Sequence, residues 1–170
     1  EPRKNKDTIL DAYLKLPGRI RKHFPFVIGG APGWKSGTIH ERIKKLSSNG
    51  EVRYLGYLPE QDIPILYAGA AAKIFIPVYE GFGLPALEAL ASGIPLIVSC
   101  SSSLPEVVKD AGNYVSPMDV DAISLSMELL AESSEDTDNR VKLGIDIARK
   151  LTWGQCVSGV IDVYQQAPTL

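Results

Sequence analysis

Short apolar runs alternate with amphipathic stretches along the chain, and segments containing Gly and Pro separate them. Each apolar run predicts a buried strand, because about four to eight consecutive apolar residues between turn signals are typical of a sheet that is covered on both faces. The predicted strands are Phe24–Ile28, Val52–Leu55, Ala72–Val78 and Pro95–Ser99, with Asn113–Val115 as a short edge strand.

Apolar residues recur at helical spacing in the stretches between these runs, as Ile9, Leu10 and Tyr13 do before the stop signal at Pro17. The predicted helices are Asp7–Leu16, Thr38–Ser48, Gln61–Ala70, Ala86–Ala91, Asp119–Glu132, Asn139–Leu151 and Trp153–Gln166. Strands that alternate with helices over short connections predict an α/β fold. We expect a doubly wound, Rossmann-like parallel sheet with helices on both faces.

Length and composition describe an ordinary globular domain. The 170 residues, 45% hydrophobic and 22% charged, fit one domain over residues 1–170 that buries a real core. The formal net charge of −2 provides no general attraction to a polyanion. Nucleic acid is therefore not an expected partner.

Targeting and cysteine signals favour the cytoplasm. No apolar stretch is long enough to span a bilayer, and no signal peptide opens the chain. Cys100 and Cys156 lie far apart without metal-ligand spacing. We interpret them as small core residues of a protein in a reducing compartment.

The segment Glu80–Glu88, with the sequence Glu-Gly-Phe-Gly-Leu-Pro-Ala-Leu-Glu, connects a predicted strand to a predicted helix. In an open α/β sheet such turns lie at the edge where ligands bind. The free amides of a helix N-terminus attract an anion, and Gly81 and Gly83 allow a close approach to the backbone. The carboxylates of Glu80 and Glu88 would repel a phosphate but accept hydrogen bonds from hydroxyl groups. This combination predicts a sugar nucleotide as the ligand.

The same segment resembles the E-x7-E signature of retaining glycosyltransferases of the family 4 type, which have the two-domain GT-B fold. A lone signature is a weak indication. Here further segments resemble that family in the same order: Gly56–Pro59, Leu66–Ala70, Ala91–Pro95, Leu104–Val107 and the closing Trp153. The resemblance covers nearly the whole chain. It implies the C-terminal, donor-binding half of a GT-B fold.

The resemblance also implies roles for the residues of the signature. Glu80 would contact sugar hydroxyls near the reacting carbon and is the first catalytic candidate. Glu88 would accept hydrogen bonds from the ribose hydroxyls. The donor's sugar and diphosphate would be held by the backbone amides of Gly81, Phe82, Gly83 and Leu84.

Residues outside the signature would complete the site. The resemblance makes Lys4 the best match for the family's diphosphate-binding lysine and second catalytic candidate, with Arg3 as a close alternative. A cation is needed there because charge builds up on the departing diphosphate. The turn at Leu58 would contact the nucleobase, and Gly30 would line the donor pocket.

The donor and acceptor follow from the same resemblance. We expect a nucleoside-diphosphate sugar, either GDP-mannose or a UDP-sugar, as donor substrate, with no cofactor and no metal required. The family's first strand of this domain would lie before Glu1, so we expect that strand and the acceptor-binding N-terminal domain to be missing from this chain. The acceptor would be a glycan, a lipid or a small molecule. Its binding, and any peripheral contact with the inner face of a membrane, would involve the missing domain. This chain alone is then expected to bind donor weakly and to transfer nothing.

Each candidate also has a structural interpretation. Acidic residues at Glu80 and Glu88 suit a helix N-terminus electrostatically, and Lys4 could be solvated at a frayed terminus. Ser101–Ser103 could face the ligand or cap the next helix.

Two other features have structural interpretations that we favour. Asp119 and Asp121 have the spacing of a D-x-D metal motif but begin a helical pattern, which favours capping over metal binding. Trp153 is predicted to be a core residue.

Other function classes remain as alternatives. A non-catalytic nucleotide-sugar-binding module would keep the same pocket, and a sugar-nucleotide epimerase can have a GT-B-like fold. A glycoside hydrolase using both carboxylates is least favoured, because its site would not need a phosphate cradle.

Overall fold

The computed structural model describes residues 1–31, 37–132 and 134–166 of the chain. Its strands are β1 (Phe26–Gly29), β2 (Val52–Gly56), β3 (Lys73–Phe75), β4 (Leu96–Ser99) and β5 (Asn113–Val115). Each lies in or beside a predicted apolar run. The hydrogen-bonded part of β3 is shorter than predicted because Pro77 has no N–H to donate and the amide of Val78 donates to the Arg3 carbonyl at 2.8 Å.

The helices surround these strands and mostly follow the predicted pattern. They are α1 (Lys6–Lys15), α2 (Gly18–His23), α3 (Gly37–Leu46), α4 (Ile63–Ala68), α5 (Leu84–Ala91), α6 (Leu104–Val108), α7 (Val120–Ala131), α8 (Glu135–Lys150) and α9 (Trp153–Gln166). Short 3-10 turns occupy Pro2–Lys4, Ser47–Asn49, Glu60–Asp62 and Lys109–Ala111.

Two helices differ from the sequence pattern. Helix α2 was not predicted, because Pro17 and Gly18 were interpreted as a stop; Pro17 instead precedes a new helix that buries Ile20. Helix α8 begins four residues earlier than predicted because the Ser134 hydroxyl accepts a hydrogen bond from the Thr137 amide at 3.2 Å. The earlier start of α8 is thus a local effect of its N-cap side chain.

The strands pair as two parallel sheets. One contains β1 and β2, and the other has the order β3-β4-β5, with β5 at the edge as predicted. The α/β class with parallel strands is confirmed. The single sheet that we expected is divided between β1 and β3.

A groove of about 690 Å³ marks this division. β1 lines the groove with Phe26 and Val27, and β3 lines it with Lys73 and Ile74; residues of α1, α4 and α7 complete its walls. Each of these two strands pairs with one other strand among the described residues. Both therefore have an unpaired edge beside the groove.

Two apolar clusters form the core. The first packs α1, α3 and α7 against β1 and β2, with Leu10 and Ile123 completely buried. The second packs α5, α6 and α8 against β4. A Cβ at Gly144 of α8 would lie 2.8 Å from the Leu90 side chain of α5, so glycine at this position allows the two helices to pack closely. This packing supports the helix that carries the second half of the E-x7-E signature.

Three expectations about side chains are wrong. Cys100 and Cys156 are exposed and are not core residues. Trp153 is 77% exposed, because every described residue of α9 is exposed and the apolar side of this helix is uncovered. The hydrophobic periodicity of α9 indicates which side of the helix is apolar. Burial also requires a second surface that packs against that side.

No helix in the described ranges is both long and apolar enough to cross a membrane.

Candidate functional site

The loop between β3 and α5 holds Glu80 by its backbone. The Glu80 amide donates to the Ser102 hydroxyl at 3.0 Å, and the Ser103 hydroxyl donates to the Glu80 carbonyl at 3.1 Å. Ser103 is the N-cap residue of α6 but makes no side-chain capping bond. The capping interpretation is therefore wrong for the Ser103 side chain, and the hydroxyls of Ser102 and Ser103 fix the position of Glu80. Contact of this serine turn with a ligand stays a prediction.

The Glu80 carboxylate is paired with a cation. Arg3 Nη1 lies 3.0 Å from Glu80 Oε2, and the Glu80 side chain is 19% exposed. The Arg3 carbonyl accepts a hydrogen bond from the Val78 amide at 2.8 Å, which ties the start of the chain to the end of β3. The cation that sequence reasoning ranked second is thus the one that contacts Glu80.

Lys4, the first-ranked cation, is exposed and has an ion pair with Glu1. Its ammonium is 3.9 Å from the Glu1 carboxylate. The Lys4 charge also lowers the pKa of Lys6 and of Lys73, in each case after the larger effect of burial. Glu88 has the opposite effect and raises the pKa of Lys73.

The backbone between Glu80 and α5 presents free donors. No described residue accepts a hydrogen bond from the amides of Gly81, Phe82, Gly83 or Leu84. Gly83 is the N-cap of α5 with φ 99°, and a Cβ there would lie 2.5 Å from Leu104. Only glycine fits this position without strain. The arrangement matches the anion cradle that the sequence predicts, and its ligand role stays a prediction.

Glu88 lies one turn into α5 and is held by an uncharged donor. The Tyr67 hydroxyl of α4 donates to Glu88 Oε2 at 3.1 Å. Burial, followed by the charge and the hydrogen bond of Glu88, raises the pKa of Tyr67 well above that of an ordinary tyrosine. The phenol is therefore protonated at neutral pH and acts as a donor to Glu88.

The two remaining candidates come from the other sheet. The backbone of Gly30 is fixed by the Gly56 carbonyl, which accepts from its amide at 2.7 Å, and by the Tyr54 hydroxyl, which donates to its carbonyl at 2.7 Å. A Cβ at neighbouring Gly29 would lie 2.6 Å from Leu58. Gly30 and Leu58 thus lie near each other, at the ends of β1 and β2. No hydrogen bond or ion pair in the described ranges connects them to Glu80.

The acidic pair at the start of α7 has structural roles. The Asp119 carboxylate accepts from the Ala122 amide at 2.9 Å and caps α7, as predicted. Asp121 pairs with Lys15 at 2.5 Å. Within the described ranges, His, Cys, Asp and Glu residues form no group of three or more that could hold a metal ion.

Sequence reasoning missed Tyr67, Lys73 and the holding role of Ser102 and Ser103. Tyr67 belonged to a segment that resembles the family, but its spacing of 21 positions from Glu88 gave no indication of contact. The sequence did contain one indication of this part of the site, because Lys73 is a charged residue in an otherwise apolar strand. A charge buried in a sheet generally has a nearby partner.

The sequence pattern of the family described as "Glycosyl transferases group 1" matches residues 1–145. The "O-antigen chain mannosyltransferase B" of Escherichia coli is 38% identical over 165 residues, which are 97% of this chain and 43% of that protein. The "Serotype-specific mannosyltransferase WbdA" of Escherichia coli is 34% identical over 134 residues, covering 75% of this chain and 16% of that protein. The chain thus spans less than half the length of these curated relatives.

Solved structures share the fold. The crystal structure of Anabaena Alr3699/HepE in complex with UDP and glucose has a TM-score of 0.84 at 18% identity, over 98% of this chain and 46% of that chain. WaaG, a glycosyltransferase involved in lipopolysaccharide biosynthesis, has a TM-score of 0.78 at 18% identity, over 97% of this chain and 44% of that chain. These likenesses confirm the fold expected for the C-terminal half of a GT-B glycosyltransferase.

Proposed function

The chain belongs to the family of group 1 glycosyl transferases, and from this premise we propose that it is the donor-binding domain of a retaining mannosyltransferase. The proposed donor is a nucleoside-diphosphate mannose, with GDP-mannose tested first. Two relatives above 30% identity are named mannosyltransferases, which supports mannose as the sugar. The acceptor would be a glycan or a lipid.

One observation carries the proposal: free amides and two carboxylates lie along a single turn, and the Arg3 cation lies against it. Arg3 lies against Glu80 at 3.0 Å. The amides from Gly81 to Leu84 have no acceptor among the described residues. Glu88 is exposed on the next helical turn. A nucleoside-diphosphate sugar has a matching order of groups: sugar hydroxyls, an anionic diphosphate and ribose hydroxyls.

The chemistry follows from these positions. Retention requires the leaving diphosphate and the incoming acceptor to lie on the same face of the sugar, while positive charge develops at the anomeric carbon. Glu80 would stabilise that charge and orient the sugar hydroxyls. Lys4, with Arg3, would offset the charge that builds up on the departing diphosphate.

The same groups would remove the need for a metal ion. Two cations and a set of fixed amides can meet the charge of a diphosphate directly. We therefore expect donor binding to the full-length protein to be the same in EDTA and in excess Mg²⁺. A large loss in EDTA would contradict this part of the proposal.

We also propose that one further parallel strand of the full-length protein occupies the groove between β1 and β3. Both strands have an unpaired edge there, and a strand supplies backbone groups to two such edges at once. Residues just before Glu1 are suited to provide it. Because the Arg3 carbonyl binds the Val78 amide just beyond β3, a strand that ends before Glu1 would run parallel to β3.

Extending the chain at its start tests this strand. A version that begins about 12 residues earlier in the gene should have a higher Tm than the chain that starts at Glu1. It should also show slower hydrogen exchange at the amides of β1 and β3. Equal Tm and equal exchange would show that the preceding residues do not enter the groove.

We propose that transfer activity belongs to a longer protein that also contains an acceptor-binding domain. The relatives are more than twice as long as this chain, and transfer would take place between two domains. We therefore expect residues 1–170 to bind donor weakly and to transfer no sugar, whereas the full-length protein does both. Any membrane contact would also involve the other domain.

A ligand panel tests the proposal as a whole. Thermal-shift and calorimetric titrations of the full-length protein with GDP, UDP, ADP and their sugars should identify one stabilising nucleotide, since a ligand that binds only the folded state raises its stability. Donor hydrolysis or transfer by the same protein would support an enzyme. Binding without turnover would identify a non-catalytic nucleotide-sugar-binding module, and no binding at all would overturn the proposal.

A further inference from the structure

The buried side chain of Tyr67 contacts the carboxylate of Glu88, which is the proposed acceptor for the ribose hydroxyls. Tyr67 is 6% exposed and lies in α4, whereas Glu88 is exposed in α5. The hydroxyl lies 3.1 Å from Glu88 Oε2 and 3.4 Å from the Pro85 carbonyl. A phenol has a single proton to donate, and the anionic acceptor at the shorter distance is the stronger partner. The tyrosine is therefore directed at the carboxylate.

This contact leaves half of the carboxylate available. Among the described residues, no donor contacts Glu88 Oε1, and no ion pair involves Glu88. A carboxylate has two oxygens that accept hydrogen bonds independently. The hydrogen bond from Tyr67 to Oε2 favours one rotamer of Glu88. In that rotamer Oε1 is available to accept a hydrogen bond from a ligand hydroxyl.

A lysine supports the tyrosine from the sheet. The Lys73 ammonium of β3 lies 5.1 Å from the centre of the Tyr67 ring. A cation at this distance from a ring is attracted to its face. The Glu88 charge also raises the pKa of Lys73, in opposition to the larger lowering by burial. β3, α4 and α5 are thus connected through three side chains, and the tyrosine is the middle one.

We propose that Tyr67 is a positioning residue that holds Glu88 ready to accept a hydroxyl of the ribose in a nucleoside diphosphate. This inference rests on the proposed function, because it assumes that a nucleoside diphosphate binds at the turn. An exposed glutamate on a helix otherwise loses side-chain freedom on binding, and this loss weakens affinity. When Tyr67 already holds the carboxylate in the free protein, the side-chain entropy is lost on folding and no longer on binding.

The test compares two nucleotides on the full-length protein. Calorimetry is performed with the nucleoside diphosphate that the wild-type protein binds, and with its 2′,3′-dideoxy counterpart. Tyr67→Phe should weaken binding of the ribonucleotide about three- to tenfold and leave the dideoxy nucleotide unchanged. Glu88→Ala, which removes the acceptor, should reduce the same preference for ribose. Tyr67→Phe with Glu88→Ala should be no worse than Glu88→Ala alone, because the tyrosine acts through the glutamate.

Tyr13→Phe is the matched control. The Tyr13 hydroxyl lies within 2.9 to 3.2 Å of three backbone carbonyls, at Arg21, Phe24 and Glu51, and none of these hydrogen bonds involves Glu88. Its loss should lower Tm and leave the ratio of the two affinities unchanged.

If Tyr67→Phe does not fold, Glu88→Asp replaces it, because Glu88→Asp keeps the charge but withdraws the carboxylate from Tyr67. The same change in ratio is expected.

The outcomes are distinct. An unchanged ratio in Tyr67→Phe, an equal loss for both nucleotides, or losses that add in the double variant would overturn the inference while leaving the proposed function intact. Failure of the wild-type protein to bind any nucleoside diphosphate would overturn both.

Discussion

Glu80 and Glu88 are the two acidic ends of one turn, but their surroundings differ. Glu80 is 19% exposed, its carboxylate is paired with Arg3, and its backbone is fixed by two serine hydroxyls. Glu88 is exposed and is held through one oxygen by Tyr67. One carboxylate is thus neutralised by a cation, and the other is oriented by an uncharged donor.

This difference matches the two tasks that we propose. An ion pair at Glu80 can exchange partners when a charged ligand arrives, because Arg3 is itself half exposed and able to turn toward a diphosphate. A phenol at Glu88 leaves the charge of the carboxylate in place for a neutral hydroxyl. The comparison therefore separates a group suited to chemistry from a group suited to binding.

Removing the first carboxylate is the strongest test of this separation. Glu80→Ala in the full-length protein should lower kcat by about 10²- to 10³-fold, because the developing charge loses its partner. Donor affinity should fall much less. Steady-state kinetics combined with calorimetry measures both quantities. Glu88→Ala is the comparison variant, and its main loss should be in donor binding.

Equal losses of kcat and affinity in Glu80→Ala would contradict the assignment. They would show that Glu80 binds the ground state and the transition state equally.

The next largest effect should separate the two cations. Lys4→Ala should lower kcat by about 10- to 100-fold, because the leaving diphosphate loses a positive charge. Arg3→Ala should have a smaller effect, since it also frees Glu80 from its ion pair. Lys4→Arg and Arg3→Lys keep the charge and serve as controls. A larger loss in Arg3→Ala than in Lys4→Ala would assign the diphosphate role to Arg3.

A backbone change tests the turn that joins the two carboxylates. Gly83→Ala should destabilise the protein by about 1 to 3 kcal/mol, because its φ of 99° is strained for alanine and the new Cβ would clash with Leu104. Donor binding should fall as the amides move. Gly81→Ala is the control, since no heavy atom lies within 4 Å of its added Cβ. Chemical denaturation gives both stabilities, and similar values would contradict the strain argument.

The smallest expected effect is a change in Tm on replacing Lys73, which lies against the Tyr67 ring. Burial lowers the pKa of Lys73 below its ordinary value of 10.5. Below that lowered pKa the folded state bears the cost of a buried charge, and this cost disappears as pH rises toward 10.5. Lys73→Met should therefore exceed the wild-type Tm by about 2 to 4 °C at pH 7, with the difference narrowing at alkaline pH.

Lys22→Met is the control for this variant, because Lys22 is exposed, and its Tm should follow the wild type at every pH. A lower Tm for Lys73→Met than for the wild type at pH 7 would mean that attraction to Glu88 and to the Tyr67 ring outweighs burial.

Much of the fold could be predicted because it depends on local patterns. Apolar runs located the strands, and helical spacing located most helices, including α7 with its Asp119 cap. The site was harder, because its contacts join distant parts of the chain. Arg3 and Glu80 are 77 positions apart, and Tyr67 and Glu88 are 21 apart. No period in the sequence encodes either contact.

The sequence by itself determined the α/β class, the strand-to-helix turn with its two glycines, and the order of acidic and amide groups along that turn. These features follow from backbone preferences and side-chain periodicity within a few residues. Only the tertiary structure decided that Arg3 pairs with Glu80, that Tyr67 holds Glu88, and that a groove separates β1 from β3. Such contacts depend on how helices and strands pack, and packing is set by the shapes and charges of side chains that come from the whole length of the chain.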